Sequence, residues 1–548
     1  MERPHSLAAS SCMREVGTAS FLRLGSILDK SRCQAVILPA LSVAPIGTCT
    51  TLSKMEIIQK ALFLLPFFSV SLHAETDITE GLIVSQLNFP PMFKPPQTFQ
   101  NINLMRLINL EKAYPQESIN VVIKNVAQTA QDEYFIPLTA RQKETIGTIE
   151  VKDKNNPDQH SFKVQFVKVE SNSDTWYYRV RLPKPLTPES QLTIGITFSY
   201  LSALNPKPAT IPQGGSQFLI YNFCAHALTA YPTLTQQTDI KFPNSNVAEY
   251  TTILNEKGES QFPVIAGSRY TYGPFTKVPP GVFEPITVRY QSIKPLIHVL
   301  KLERDVEISH WGGNAAFEER YTLTNRAANL SKPFSRVEWA SSNYYNPPTT
   351  AIKELTFPLK VGSLTPYYID VIGNVSTSRF RTSSHEASLE VKPRYPIFGG
   401  WNYPFRIGWD ANVKKFLRKL PGNAQYILNV PFLEGPTQAE GVEYKLVELR
   451  IILPEGAKNL RFSTSVPLIS AEISTHKTYM DTIGRTTLTL NAINLFDSLR
   501  DRELVVTYEY LSSAMLRKPL VIFSAFLGLF TTTWVVGSFD MSIQAKSL

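Results

Sequence analysis

"QLTIGITFSYL", residues 191–201, alternates strictly, with Leu192, Ile194, Ile196, Phe198 and Tyr200 on one side and Thr193, Gly195, Thr197 and Ser199 on the other. A period of two belongs to extended backbone, whose successive side chains point to opposite faces. The stretch therefore reads as a strand with one face in a core and one in water. "DTWYYRVRL" (174–182) gathers Trp176, Tyr178, Val180 and Leu182 in the same way, and "ESINVVIKN" (117–125) gathers Ile119, Val121 and Ile123. The second half repeats the style in "VEYKLVELRIILPEGAKNL" (442–460), "RTTLTLNAI" (485–493) and "RELVVTYEYL" (502–511). Proline-rich turns such as "LPKPLTPES" (182–190), "NPKPATIPQGG" (205–215) and "KVPPG" (277–281) separate the runs. Strands at roughly ten-residue spacing with such connections predict a mainly β protein built of antiparallel β-sandwich-like domains.

Working outward, the break between two such domains falls near "YQSIKPLIHVLKLERDVEISHWGG" (290–313), at about residue 297. The expected division is 75–297 for the first domain and 298–515 for the second. No internal repeat, heptad seam or low-complexity block is legible. "DANVKKFLRKLPGNAQYIL" (410–428) is the one segment of the body expected to form a notable helix.

The two ends carry sorting signals. "MEIIQKALFLLPFFSVSLHAET" begins at Met55, runs apolar from Ala61 to Leu72 and reaches a small residue at Ala74 before polar sequence. That layout is a secretory signal peptide over residues 55–74, too short to span a bilayer. Such a signal belongs at a true amino terminus, so residues 1–54 read as an over-extended leader; an organelle transit peptide is the rival reading. From Leu520 to Phe539 there are 20 residues without a charge, long enough at 1.5 Å per residue for the hydrocarbon core. This predicts one transmembrane helix at 520–539 with a cytosolic tail at 540–548 and the bulk of the chain lumenal. Arg517 and Lys518, against only Lys546 in the tail, run counter to the positive-inside tendency, which a cleaved signal overrides. Ser524, Gly528, Thr531, Thr532, Thr533 and Gly537 place small residues one helical turn apart, as in spans that pack against other helices.

The formal charge is +9. The first 54 residues hold six basic and three acidic side chains, which leaves the body weakly basic. With no dense Lys/Arg cluster interleaved with aromatics, and with a secretory signal, nucleic acid is not an expected partner. Cys12, Cys33 and Cys49 precede the signal and only Cys224 follows, so the body has no internal disulfide to form. Cys224 reads as a small buried apolar residue.

No catalytic constellation is legible. His160, His226, His298, His310, His385 and His476 are scattered, and no Cys-x-x-Cys occurs. "HEASL" (385–389) begins like a zinc-protease helix but has Leu389 where the second imidazole must stand. "GGSQF" around Ser216 lacks the second glycine of a nucleophile elbow. Glu318 and Glu319 are adjacent on a strand-like run, so they face opposite ways and serve a solvated face or a salt bridge. No catalytic, cofactor-binding or metal residue is assigned. Asn329-Leu-Ser331 and Asn374-Val-Ser376 fit the acceptor triplet for N-glycosylation and are expected in surface loops, Asn374 in an exposed turn after Gly373.

"EISHWGGNAAFEERYTLTNRAANLSKPFSR" (307–336), "DVIGNVSTSRF" (370–380), "VKPRYPIFGGWNYPFRIGW" (391–409) and "IILPEGAKNL" (451–460) resemble the signature segments of the ribophorin I family, in the family's order. "INLEKAYPQESINVVIKNVAQTAQDEYFIPL" (108–138) resembles its first domain, so the resemblance runs from about residue 98 to the span. The leader is a departure from the pattern, and the tail is shorter than in some members. The resemblance implies an accessory, non-catalytic subunit of the endoplasmic reticulum oligosaccharyltransferase, with no cofactor of its own. That complex moves a preassembled oligosaccharide from dolichyl diphosphate to the asparagine of Asn-x-Ser/Thr in nascent chains. Catalysis there belongs to a multi-span subunit bearing a Trp-Trp-Asp-Tyr-Gly motif and a divalent metal, and this sequence lacks the motif. The implied partners are the other subunits, with the protein translocation channel and nascent chains as further candidates. His310, Trp311 and Phe398–Trp401 then serve the second domain or a subunit contact. A stand-alone lumenal module binding glycans or unfolded chains is the alternative, and an enzyme whose residues converge only in three dimensions is a third reading.

Overall fold

The computed structural model describes residues 87–539, apart from 90–92, 157–160, 170–174, 255–259, 345–346, 423 and 480. The leader, the signal, His160 and the tail lie outside the described residues. The alternating runs are strands, as expected. In residues 191–199 the chain buries Ile194, Ile196 and Phe198 and leaves the intervening positions partly exposed.

The strands fall into two halves. In the first, β1 (Phe99–Asn109), β2 (Gln116–Asn125), β3 (Gln131–Thr139), β4 (Glu150–Asp153), β5 (Lys163–Val169), β6 (Thr175–Leu186) and β7 (Gln191–Ser199) are followed by β8 (Asn205–Pro206), β9 (Phe218–Cys224), β10 (Thr233–Lys241), β11 (Val247–Tyr250), β12 (Val264–Ala266), β13 (Arg269–Val278) and β14 (Pro285–Gln291). A seven-stranded sheet, β12-β13-β10-β1-β2-β7-β4, is covered by two smaller ones, β5-β6-β3, with the short strand Leu87–Phe89 added parallel to β5 at its edge, and β11-β14-β9-β8. The second half comprises β15 (Ile297–Ser309), β16 (Asn314–Asn325), β17 (Leu355–Leu359), β18 (Ser363–Asp370), β19 (Arg379–Thr382), β20 (Ala387–Val391) and β21 (Asn402–Asn412). It continues with β22 (Leu417–Lys419), β23 (Gln425–Pro431), β24 (Val442–Glu455), β25 (Lys458–Thr464), β26 (Ser470–His476), β27 (Arg485–Phe496) and β28 (Glu503–Glu509). Its long sheet runs β26-β27-β24-β15-β16-β21-β18, covered by β19-β20-β17 and β25-β28-β23-β22.

The two halves share one topology. Each of the fourteen strands numbered in the first half has its counterpart fourteen places on, in the equivalent sheet and in the same order; the short strand Leu87–Phe89 has none. The pairing departs from a purely antiparallel sandwich at one place in each long sheet, where β1 runs parallel to β10 and β15 parallel to β24. Register repeats too. Phe99 stands opposite Asn125 as Ile297 stands opposite Asn325, and the ladder slips between Asn101 and Asn103 in one and between Val299 and Lys301 in the other. The repeat lies in the pairing scheme, where none was legible in the sequence. Alternation constrains only which face is apolar, so the two halves keep the pairing scheme while sharing little sequence.

Apolar packing divides between Leu296, which closes a first-half core, and Ile297, which opens the second. The halves nonetheless join over a wide contact. Tyr114, Leu201 and Phe496 pack together, Tyr114 also bonds Asp497, and Asn494 Nδ2 donates to the carbonyls of Glu144 and Ile146 at 2.9 and 3.0 Å.

The segment 410–428 is not a helix. Asn412 caps a single 3-10 turn at Val413–Lys415, and β22 then pairs back on β23 across the Pro421-Gly422 turn. Phe416 is buried in the core, its ring tilted against that of Phe317 at 5.2 Å. Helices form instead at α1 (Ala140–Thr145), capped by Thr139 and Gln142, and at α2 (Arg336–Asn343), capped by Ser335. After β28 come α3 (Ser512–Met515) and α4 (Arg517–Ser538). The apolar helix begins three residues before the uncharged run because Arg517 and Lys518 form its first turn, and it is long and apolar enough to cross a membrane. Cys224 is half-buried rather than fully so; its sulfur accepts from the Glu284 N–H at 3.2 Å.

Candidate functional site

The stretch from His310 to Arg336 forms a tight turn, strand β16 and the start of α2. His310 Nε2 lies 2.7 Å from the Tyr508 hydroxyl, and its ring packs on Tyr426 and Tyr510. Burial there disfavours the imidazolium and pushes the pKa down to about 4. Trp311, next in sequence, points into solvent.

Glu318 and Glu319 do face opposite ways. Glu318 bonds Tyr367 and pairs with Arg320 at 2.7 Å on the open face of the sheet. Glu319 belongs to no solvated face: it is wholly buried beside Arg304, whose other arm reaches Glu434 Oε2 at 2.8 Å. Tyr321 donates its hydroxyl proton to Glu319 Oε2 at 2.6 Å, and Phe317 and Trp409 cover the guanidinium. Burial raises the Glu319 pKa above the ordinary carboxylate range. Arg304 opposes the rise and the nearby Glu434 carboxylate adds to it. Two carboxylates, a guanidinium and a phenol could in principle move protons, but Arg304 and Glu319 are 0% exposed. A general acid must come within hydrogen-bond reach of its substrate, and this cluster is sealed. Its role is to pin β15 and β16 to the loop after β23. The first half has a counterpart at the matching strand position, where Arg106 pairs with buried Glu117 through two bonds of 2.8 Å.

The remaining sequence candidates do not converge. His385 is an exposed residue just before β20, so "HEASL" is turn and strand rather than helix. Ser216 lies exposed in the loop before β9. His298 pairs with Glu443 at 2.9 Å and His226 with Glu284 at 3.4 Å, in different halves. Among the described residues no group of three His, Cys, Asp or Glu side chains is placed to hold a metal ion.

Both Asn-x-Ser triplets are exposed at their asparagine and serine. Asn374 leaves a turn in which Asp370 Oδ1 accepts from the N–H groups of Ile372 and Gly373, and its own carbonyl accepts from Arg394 at 2.9 Å. Asn329 is in a two-residue strand rather than a loop. It pairs parallel with Thr210–Ile211 of the first half, its N–H donating to the Ala209 carbonyl at 2.9 Å. An open cleft of about 480 Å³ lies beside it, lined by Pro333, Phe334, Gly399, Gly400 and Trp401. Gly399 is required here, because a methyl group on it would overlap the carbonyl oxygens of Ala327 and Ala328. Phe398 is buried among Phe334, Trp339 and Trp401, so the Phe-Gly-Gly-Trp segment builds the second half beside the junction.

Sequence reasoning missed the residues that hold this junction. Asn325, 0% exposed, donates to the carbonyls of Thr350 and Ile397 at 2.7 and 2.9 Å and accepts from Leu296 and Ala327 at 3.2 and 3.0 Å. Asn125 does the same at the end of β2, with Thr129, Leu186 and Ala127. The signal was available as Asn125-Val-Ala127 and Asn325-Arg-Ala327, each closing an alternating run.

In α4 the hydroxyls of Ser524, Thr531, Thr532 and Thr533 bond back to carbonyls three or four residues earlier, and a Cβ on Gly528 would have open space around it.

Comparison with known proteins gives consistent relatives. Subunit 1 of the dolichyl-diphosphooligosaccharide–protein glycosyltransferase from Caenorhabditis elegans is 29% identical over 81% of this chain and 73% of its own length. The Schizosaccharomyces pombe subunit 1 is 27% identical over 78% of this chain and 92% of its own, and the Arabidopsis thaliana subunit 1B is 28% identical over 83% and 96%. Among solved structures, an M1 zinc metallopeptidase from Deinococcus radiodurans aligns over 38% of this chain and 42% of its own at 10% identity, with a TM-score of 0.23, too slight a likeness to carry an argument. The profile of ribophorin I matches residues 99–537, most of the chain, taking in both long sheets and nearly all of the apolar helix, and the chain belongs to the ribophorin I family.

Proposed function

We propose that the chain is an accessory, non-catalytic subunit of the oligosaccharyltransferase, the complex that transfers a preassembled oligosaccharide from dolichyl diphosphate to Asn-x-Ser/Thr in nascent polypeptides. The observation that carries this is the family match over residues 99–537, together with relatives named as subunit 1 of that transferase. The Arg304–Glu319–Glu434 cluster is consistent with it, since these buried charges hold strands together and are closed to a substrate. On this reading residues 75–297 and 298–515 are two lumenal domains in the endoplasmic reticulum and the helix near 520–539 crosses its membrane once. Residues 55–74 are then the cleaved signal, and 540–548 the cytosolic tail. Asn374 and Asn329 are glycan acceptors, and the small residues of α4 meet helices of partner subunits.

The test is purification of the full chain from membranes in mild detergent. A stoichiometric complex with the multi-span catalytic subunit, active only when that subunit is present, is the expected result. A monodisperse single chain that binds glycans or unfolded peptides would instead establish the stand-alone module, and turnover by the isolated chain would overturn both.

A further inference from the structure

The long sheet of the second half has two ends. At one, Glu443 and His298 meet the first half, with the Ser202 N–H donating to Glu443 at 3.1 Å. The strand registers bring the β15–β16 turn (310–313), the end of β24 and the β26–β27 turn (477–484) to the other.

The apolar helix starts at this second end and is fastened to it. Asp481 accepts from Lys518 in the first turn of α4 at 3.0 Å, while its other contacts, from the Thr478 N–H at 2.9 Å and the Thr478 hydroxyl at 2.6 Å, lock the β26–β27 turn. Glu455 at the end of β24 accepts from the N–H groups of Thr482 and Ile483, both at 2.7 Å. A Cβ on Gly456 would come within 2.9 Å of Ala514, and Tyr510, two residues before α3, packs on His310.

Around this fastening the chain exposes apolar and aromatic side chains that a soluble surface would hide. Trp311 is 75% and Tyr479 92% exposed, and Ile483, Leu511 and Leu516 are more than half exposed. Trp311 is held outward by its own turn: His310 is anchored inside, and Gly312 donates to Ser309 Oγ at 3.1 Å. Trp and Tyr, with apolar bodies and one polar group, concentrate where hydrocarbon gives way to headgroups. Leu520, where the uncharged run begins, is two residues past Lys518, so the rim stands at the level where the helix enters lipid.

We propose that this rim, with Trp311 and Tyr479 as its anchors, is a membrane-docking surface that seats the β body on the phospholipid headgroup layer around the start of α4. The bilayer is the partner because the rim lies at the end of the sheet from which the one helix long and apolar enough to cross a membrane among the described residues starts, and the Asp481–Lys518 pair gives the body a fixed attachment to that helix. The proposal rests on α4 crossing the membrane, and the experiment separates that premise from the rim.

The full chain, with Cys12, Cys33, Cys49 and Cys224 replaced by Ser, is reconstituted into phosphatidylcholine–phosphatidylserine nanodiscs. Single nitroxide labels are placed by Trp311→Cys, Tyr479→Cys, Phe526→Cys in α4, and Val337→Cys in α2 at the far end of the sheet, a residue 80% exposed. Collision rates with oxygen, which partitions into lipid, and with a water-soluble nickel chelate are compared. The expected oxygen-to-nickel ratio at 311 and 479 is several-fold above that at 337 and below that at 526. Ratios at 311 and 479 equal to that at 337, with 526 reading lipid, would overturn the rim alone. Protection from both reagents would overturn it in favour of a protein cover, and a water-like ratio at 526 would overturn the premise and the rim with it.

Discussion

Replacing Asn325 with alanine removes two donors and two acceptors from a site that water does not reach. The N–H groups of Leu296 and Ala327 and the carbonyl of Thr350 lose their partner at once, and the Ile397 carbonyl keeps only the Ile352 N–H. At a net ~1 kcal/mol for each bond lost, the cost is about 4 kcal/mol. Asn125→Ala loses three bonds, to Thr129, Leu186 and Ala127, so its cost is about 3 kcal/mol by the same scale. With the second half, residues 298–515, unfolding as one cooperative unit, each kcal/mol lowers the melting temperature by roughly 2–4 °C, so Asn325→Ala should fall on the order of 10 °C. The assay is thermal unfolding of the full chain in detergent, followed by tryptophan fluorescence, beside Asn125→Ala and the double variant. The two sites share no partner, so their effects should add. Asn325→Asp is the sharper comparison: it keeps both acceptor bonds but sets a carboxylate against two carbonyls, and should be at least as unstable as alanine. A melting temperature for Asn325→Ala within a degree or two of wild type, or an Asn325→Asp variant as stable as wild type, would refute the reasoning.

Arg304→Met should cost roughly 3–5 kcal/mol in urea unfolding by leaving two carboxylates in an apolar core, and adding Glu319→Leu should recover much of it; a neutral single variant would show that the cluster pins nothing. Because burial raises the Glu319 pKa, its contribution is full at low pH and is lost as pH rises through the raised folded value, a loss that Glu319→Gln should flatten. His310 has the opposite sign: its folded pKa lies near 4 against 6.5 unfolded, so stability present above about pH 6.5 is lost as pH falls towards 4, and melts of His310→Gln should show a smaller acid loss. Glycosidase treatment should shift wild type more than Asn374→Gln on a gel, and equal shifts would show that the site is unused. Gly528→Leu should insert into membranes normally yet recover less of the partner subunits, and wild-type recovery would reduce α4 to an anchor.

The strand class, the late apolar helix and the opposed faces of Glu318 and Glu319 followed from sequence alone, because each depends on local period or on the length of an apolar run. The failed helix at 410–428 shows the limit of the same reasoning. Lys414, Lys415 and Phe416 suit a helix locally, and the contact of Phe416 with Phe317, far off in the chain, decided otherwise.

What only the tertiary structure decided is pairing. The shared topology of the two halves, the matching slips in β1 and β15, and the arginines at matching positions were invisible as repeated sequence. Sheet order is set by which apolar faces meet, and many side-chain sets satisfy one face. For the same reason the sequence left Glu319 between a solvated face and a salt bridge: the buried salt bridge depends on Arg304 across the ladder and Glu434 from a distant loop, neither of which its neighbours in the chain announce.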